Sequence, residues 1–399
     1  MDKLTLKDID LKNKKVLVRV DFNVPLNEDL SISDDTRIKA SLDTINYLLK
    51  NNCSIILMSH LGRPKGKKDK NLSLKNAAKR LSILLKHEVK FADDAIGKDT
   101  ENFKKNLKPK EILLLENLRF HPEEEKPKDD NKFAEELAKG CDIYVNDAFG
   151  SSHRKHSSIF QITNFFKNRA IEGFLLEKEV DFLYKAIQDP KRPFYAIIGG
   201  KKISTKIGVL NSLSEIVDAI FIGGAMSSTF FKAMGIDVAS SLVEDDFLDE
   251  AKKVLEKFKI KKVPIYLPID VLLAKDIKEE TETKIVESDK TFLKNYQAVD
   301  IGPKTISDWE KKLKLAKTIF WNGPLGIFEI DKFSLGTNKI AKIISDIDAV
   351  KIVGGGDSVA AINKLHLEKK FTHLSTGGGA SLEFIEFKSL PGVEALSDQ

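Results

Sequence analysis

A chain of 399 residues exceeds the roughly 250–300 at which a single hydrophobic core stops growing, so two domains with a cleft between them are the expectation. Hydrophobic residues at 42% and charged residues at 31% exclude a disordered or fibrous chain, and 65 Lys plus Arg against 60 Asp plus Glu, a formal charge of +5, is too balanced for a nucleic-acid footprint. Two cysteines, Cys53 and Cys141, cannot build a disulfide framework or a zinc cluster; with no long apolar run and no apolar leader in MDKLTLKDIDLKNKK, a cytosolic protein with no membrane partner is expected.

Along the chain, apolar β-branched runs of about five residues alternate with helical patterns, the signature of βαβ units around a parallel sheet. In the first half the strands are KVLVRV, SIILMSH, EILLLENL and DIYVND. Each runs into a polar cluster: DFNVP at Asp21–Pro25, SHLGRP at Ser59–Pro64, LRFHPEEE at Leu118–Glu125 and NDAFGSSHRKH at Asn146–His156. GFLLEKEVDFLYKAIQDPKRPF then has apolar residues at helical spacing and ends at Asp189-Pro190, which predicts a helix linking the halves and a boundary near Gly173. The later strands FYAII, AIFI, TIFW, AVKIV and THLS run into GGKKISTK, GGAMSSTF, NGPLGIFE, GGGDSVAA and TGGGASLE. The charged runs PKGKKDKNLSLK and EEEKPKDDNK read as solvated loops.

Ligands of open parallel sheets bind beyond the carboxyl ends of strands, so these turns are where chemistry belongs. A glycine turn between strand and helix lets the backbone approach a phosphate, and the helix's unpaired amides and dipole favour the anion. Glycine also serves tight turns and close packing. Here the turns recur, each with its own polar companions: Lys202 and Lys206, Asn322 and Glu329, Asp357 and Ser358, Ser375 and Thr376. Lys202 and Lys206, four apart, are expected on one face at the start of a helix. Asp357 at a helix start can either cap amides or hold Mg²⁺ together with phosphate oxygens. A G-x-x-x-x-G-K-[ST] loop and a G-x-G-x-x-G helix opening are both absent, which argues against a P-loop NTPase and a two-domain dehydrogenase. A two-lobed solute-binding protein is disfavoured by the lack of an export signal.

The first half supplies cations instead. Arg37, His60, Arg63, Arg119, His153, Arg154 and His156 fall at or near strand ends, and converging guanidinium groups describe a pocket for a small polyanion. His87, His121 and His366 read as structural, and Trp321 as core. A carboxylate acceptor is already ionised near neutral pH, so transfer of a phosphoryl group to it needs no general base; positioning and charge neutralisation suffice.

Read in order, LVRVDFNVPL, SHLGRP, YVNDAFG, WNGPLGIFE, GGGDS, STGGGASLE and LPGV resemble the phosphoglycerate kinase family over essentially the whole chain. The resemblance implies two Rossmann-like α/β domains, each a parallel sheet flanked by helices, joined by a hinge helix. Residues 1–172 would bind phosphoglycerate, 173–387 would bind nucleotide, and the tail 388–399 would pack back onto the first domain. The implied reaction is reversible phosphoryl transfer between 1,3-bisphosphoglycerate and ADP, giving 3-phosphoglycerate and ATP, with Mg²⁺ on the nucleotide, in a monomer that closes by hinge bending.

By the same resemblance, Asp21, Phe22, Asn23, Arg37, His60, Leu61, Gly62, Arg63, Arg119 and Arg154 bind the phosphoglycerate, and Arg37 is the catalytic arginine. Lys202 supports the moving phosphoryl group, Lys206 contacts nucleotide phosphates, Glu329 holds the ribose and Asp357 binds Mg²⁺. Gly200, Asn322, Gly355 and Ser358 complete the nucleotide site, and amides at Gly356 and Gly377–Gly379 stabilise transition-state charge. Lys201 stands where the family commonly has alanine and adds a cation, SSHRKHSS replaces TAHRAHSS, and Ser358 replaces a threonine.

Overall fold

The computed structural model describes residues 2–399, and the apolar runs form the central strands of two parallel sheets. Strands covered on both faces must be apolar throughout rather than alternating, which is why KVLVRV and SIILM are almost entirely buried. The chain divides into two compact units, Met1–Asp181 with Ser389–Gln399, and Phe182–Lys388.

The first unit holds β1 (Lys15–Val20), β2 (Ser54–Met58), β3 (Val89–Phe91), β4 (Ile112–Leu114), β5 (Ile143–Asp147) and β6 (Ala170–Glu172), flanked by helices and ordered β3-β4-β2-β1-β5-β6. All neighbouring pairs are parallel. The order reverses beside β1, where Val20 pairs with Asp147. This switch point opens a crevice at the carboxyl ends of β1 and β5.

The closing residues belong to the same unit. The Leu4 amide donates to the Ser397 carbonyl, the Ser397 amide to Ala170, and the Gly392 amide to Ser152. Asn146 Nδ2 donates to the Gly392 carbonyl at 3.0 Å.

A helix over Phe174–Gln188 follows β6. Its start is fixed by Asp147 Oδ1, which accepts the amides of Leu175 at 2.9 Å and Leu176 at 3.4 Å, satisfying donors that have no partner within the helix. Gly173 is required beside it, because a Cβ there would lie 2.2 Å from that oxygen. The division between units falls inside this helix, after Asp181.

The second unit holds β7 (Phe194–Ile198), β8 (Ala219–Ile222), β9 (Ile265–Tyr266), β10 (Asp270–Ala274), β11 (Thr283–Glu287), β12 (Gln297–Ile301), β13 (Thr318–Asn322), β14 (Val350–Gly354) and β15 (His373–Leu374). Its parallel sheet runs β15-β14-β13-β7-β8-β9, and its switch point lies between β7 and β13, where Ile198 pairs with Asn322. A separate three-stranded sheet, β11-β10-β12, is antiparallel, a feature the sequence reading did not anticipate. Trp321 is fully buried among Ile197, Phe221 and Ile340, and its indole N–H donates to the Gly323 carbonyl at 2.8 Å, so it is core as expected.

Candidate active site

The carboxyl ends of β1, β2, β4 and β5 carry the cationic side chains of the first unit. Arg37, on a short helix Thr36–Ala40, donates from Nη1 to Asp21 Oδ2 at 2.9 Å. Arg119 Nη1 donates to the Gly62 carbonyl at 2.9 Å, and its Nε stands 3.1 Å from Glu125 Oε1. Asn23 Oδ1 accepts the Gly62 amide at 2.8 Å, and the Phe22 amide donates to Ser59 Oγ at 2.8 Å. The segments Asp21–Asn23 and Ser59–Gly62 are thus knitted together by their own backbone and side chains. Phe22 and Leu61 are buried, whereas Arg63 and Arg154 are exposed.

Three histidines record the field of this cluster. His60 is held well below the ordinary imidazole range, first by burial and then by the charges of Arg19, Arg119 and Arg37. His153 is pulled down to about 4 by burial and Arg154, and His156 to about 3 by burial, Arg19, Arg119 and Arg154. Imidazole resists protonation where guanidinium groups already crowd, so the pocket's positive charge resides in its arginines. Its carboxylates are engaged: Asp21 with Arg37, and the fully buried Glu124 with the hydroxyl of Ser158 at 2.7 Å and its amide at 3.0 Å. His87 and His121 have structural partners, the Lys110 carbonyl at 2.8 Å and Asp94 Oδ1 at 2.6 Å.

In the second unit the glycine turns divide into two kinds. Those after β7, β8 and β13 pack on one another. The Gly199 amide donates to the Asn322 carbonyl, Gly200 to Pro324 and Gly224 to Leu325. Gly323, at φ +93°, would place a Cβ 2.3 Å from the Gly199 carbonyl oxygen. These amides are spent inside the protein. The turns after β14 and β15 differ, because their glycines are themselves the first residues of the helices Gly356–Lys364 and Gly378–Phe387, whose first N–H groups have no carbonyl within the helix. The two openings touch: a Cβ on Gly378 would lie 2.9 Å from Gly355 Cα, while one on Gly356 would meet nothing within 4 Å. Gly356 and Gly379 are exposed.

Lys202 and Lys206 do not share a helix face. The helix begins only at Ile207, with Lys206 as its N-cap residue, and the preceding residues form a turn in which the Lys202 carbonyl accepts the Thr205 hydroxyl at 3.1 Å. Lys206 Nζ instead reaches across the sheet to Asn322 Oδ1 at 2.5 Å, and burial lowers its pKa to about 8, with Asp357 opposing the shift. The Asn322 Nδ2 atom is buried without a partner. Ser358 is fully buried and its hydroxyl accepts the Gly323 amide at 2.7 Å, tying the β14 turn to the β13 turn.

Asp357 is exposed and lies in the first turn of its helix, whose N-cap position is taken by Gly355 rather than by a side chain that could cap it. Among the described residues no cluster of three or more His, Cys, Asp or Glu could hold a metal. A lone carboxylate next to a phosphate site is nevertheless how Mg²⁺ is commonly bound, because substrate phosphates and water fill its remaining positions, and the donor set fits that ion. Asp357 and Glu329 line a cavity of about 370 Å³ with Gly200 and Lys201, walled by Leu242, Val271, Ile277, Val299 and Leu325. Apolar walls with a few polar groups at the rim suit a planar base and its sugar.

The family model for phosphoglycerate kinase matches residues 6–388. The chain belongs to the phosphoglycerate kinase family. The phosphoglycerate kinase of Pseudothermotoga lettingae is 49% identical over all 399 residues and the whole of both chains. The cytosolic phosphoglycerate kinase 3 of Arabidopsis thaliana is 49% identical, covering 99% of this chain and 98% of that one. The solved phosphoglycerate kinase from Coxiella burnetii superposes with a TM-score of 0.86 at 37% identity, over 98% of both chains.

Members of the phosphoglycerate kinase family are phosphotransferases whose acceptor is a carboxyl group, and the reaction is the glycolytic one: 1,3-bisphosphoglycerate and ADP are interconverted with 3-phosphoglycerate and ATP. Substrates are small molecules, and among the described residues no helix is long and apolar enough to cross a membrane.

Sequence reasoning missed Arg19, which is 0% exposed at the carboxyl end of β1, together with Ser158 and Glu124, which lie behind it. A signal existed. An arginine inside the apolar run KVLVRV cannot be buried without partners.

Proposed function

We propose that the first unit, with its C-terminal tail, binds the phosphoglycerate through Arg37, His60, Arg63, Arg119 and Arg154, placed by Asp21, Asn23 and Gly62. The second unit binds the nucleotide, its base against the apolar wall of the cavity, its ribose at Glu329 and its phosphates at Lys202, Lys206 and the amides of Gly356 and Gly379. Asp357 holds Mg²⁺. When bound, the ion neutralises phosphate oxygens; the chain's own residues do the rest.

Arg37 steadies the migrating group from the acceptor side. Lys206 stays predominantly protonated at neutral pH with its pKa at about 8, and supplies charge from the donor side. Transfer needs no proton acceptor, since the receiving carboxylate is already ionised and the pocket's own carboxylates are engaged. Closing of the two units about the segments that connect them excludes water from a loose transition state. The protein works as a monomer in the cytosol, and nucleic acid is not a partner.

The observation that carries this reading is Asp357, an exposed carboxylate in the first turn of its helix, which equips one unit for Mg-nucleotide while the other is equipped for a polyanion. Calorimetric titration tests it. Asp357→Asn should weaken MgADP more than metal-free ADP and leave 3-phosphoglycerate unchanged. Arg119→Met should weaken 3-phosphoglycerate by about tenfold to a hundredfold, as for a lost hydrogen bond to a charged group, with ADP unchanged. Equal loss of ADP with and without Mg²⁺ removes the metal role, and cross-effects between the two ligands overturn the division of labour.

A further inference from the structure

Arg19 has no task in the reaction scheme above, yet its surroundings are fully specified. Its Nε donates to Ser158 Oγ at 2.8 Å, Nη1 donates to the Val20 carbonyl, and Nη2 stands 3.1 Å from Nδ1 of His60. Guanidinium nitrogens donate and never accept. Nδ1 of His60 must therefore present its lone pair to Arg19, and a neutral ring then carries its single proton on Nε2. A doubly protonated ring would set N–H against N–H in a site that is 5% exposed.

We propose that Arg19 is a positioning residue that locks His60 as the Nε2–H tautomer, making the ring a neutral, pH-independent hydrogen-bond donor to an anionic oxygen of the phosphoglycerate. This rests on the reading that His60 touches that substrate. The opposite tautomer would turn a lone pair toward the anion and repel it, so the choice decides whether His60 helps or hinders binding.

Arg19 is itself held in place from behind. Glu124 accepts the hydroxyl of Ser158 at 2.7 Å and its amide at 3.0 Å, and the Tyr144 hydroxyl donates to the Ser158 carbonyl at 2.9 Å. Glu124 thereby fixes Ser158, the partner of Arg19 Nε, from behind. The arrangement recurs at His153, whose Nε2 accepts from Arg154 Nε at 2.8 Å, leaving the proton on Nδ1. Burial first, and then the surrounding arginines, keep His60 from gaining a second proton.

Long-range ¹H–¹⁵N correlation spectra of the full chain labelled at histidine test the assignment directly. In the wild type, His60 should show Nδ1 unprotonated and Nε2 protonated, unchanged from about pH 8 to pH 5, and Nε2–H should move when 3-phosphoglycerate is added. Arg19→Met should restore mixed tautomers and an ordinary titration, and should raise KM for 3-phosphoglycerate more than it lowers kcat; Arg19→Lys, which keeps a donor, should recover part of the tautomer bias. If Arg19→Met does not fold, the wild-type spectrum still decides, together with His60→Gln and His60→Asn. Gln places an amide N–H₂ near Nε2 and Asn places one near Nδ1, so Asn should bind 3-phosphoglycerate about tenfold more weakly than Gln. A wild-type His60 protonated on Nδ1, or charged at neutral pH, overturns the proposal, as does equal binding by the Asn and Gln variants. A locked tautomer that ignores 3-phosphoglycerate while Arg119→Met still loses it removes His60 from the substrate. If neither position responds, the placement of the substrate in this unit fails.

Discussion

Arg37 is half-buried and braced by Asp21 at 2.9 Å, so its guanidinium is placed before any substrate arrives. Preorganised charge of this kind acts on the transition state more than on the ground state. Arg37→Ala should lower kcat by about 10³ with ADP affinity nearly intact, measured by trapping the acyl phosphate with hydroxylamine as hydroxamate; turnover close to wild type would contradict the role. A different residue controls stability. Glu172 is 4% exposed with one carboxyl oxygen unpaired, and burial, aided by Glu177 and Asp181, pushes its pKa up to about 8. The folded chain holds a proton that the unfolded chain releases near the ordinary glutamate value. Stability from this group is therefore complete below that value and is lost as pH rises through about 8. Glu172→Gln removes the titration, so its stability relative to wild type should climb between about pH 5 and pH 8, by at most about 1.4 kcal/mol per pH unit. Denaturation midpoints at a series of pH values check it, and a constant difference would mean that Glu172 is already charged when folded. Which single residues matter was partly legible: the arginines and histidines after strands stood out, whereas Arg19 was hidden inside a strand whose other residues are apolar or paired at its edge.

At the scale of elements, the glycine turns carry two separate jobs that look identical as letters. GGKK, GGAM and NGPL let three turns abut through their backbones, while in GGGD and TGGG a glycine is itself the first residue of a helix. Only coordinates separate them, because the difference lies in what faces the missing Cβ. Gly323→Ala would need both a left-handed backbone at φ +93° and a methyl group 2.3 Å from a carbonyl oxygen, and should cost about 2 kcal/mol or more. Gly356→Ala meets nothing within 4 Å and should leave the urea midpoint nearly unchanged while impairing nucleotide use. Equal destabilisation by the two would show that the turns are not divided in this way. The long buried strands were readable because residues covered on both faces must be apolar. β3 and β6, with three residues each, are too short to show a period. β11 has partly exposed residues throughout its TKIVE run, so neither alternation nor continuous hydrophobicity marked it. The placement of Lys202 and Lys206 failed for a related reason: four-residue spacing says nothing until the helix start is known, and here the turn before Ile207 takes up the interval.

At the scale of the whole molecule, the second unit is an insertion in the first. Phe182–Lys388 lies in sequence between two parts of one compact body, so the chain passes from one unit to the other twice. The final residues complete the first sheet's surroundings: the Ser397 amide bonds Ala170 on β6, Gly392 is clasped between Ser152 and Asn146, and Leu390, Val393 and Leu396 are buried. Growing chains usually finish their amino-terminal domain first. Here the ribosome delivers the second unit entire before it delivers the strap that the first unit requires. The earlier-made half therefore makes its contacts with residues 389–399 only after the later-made half has been synthesised.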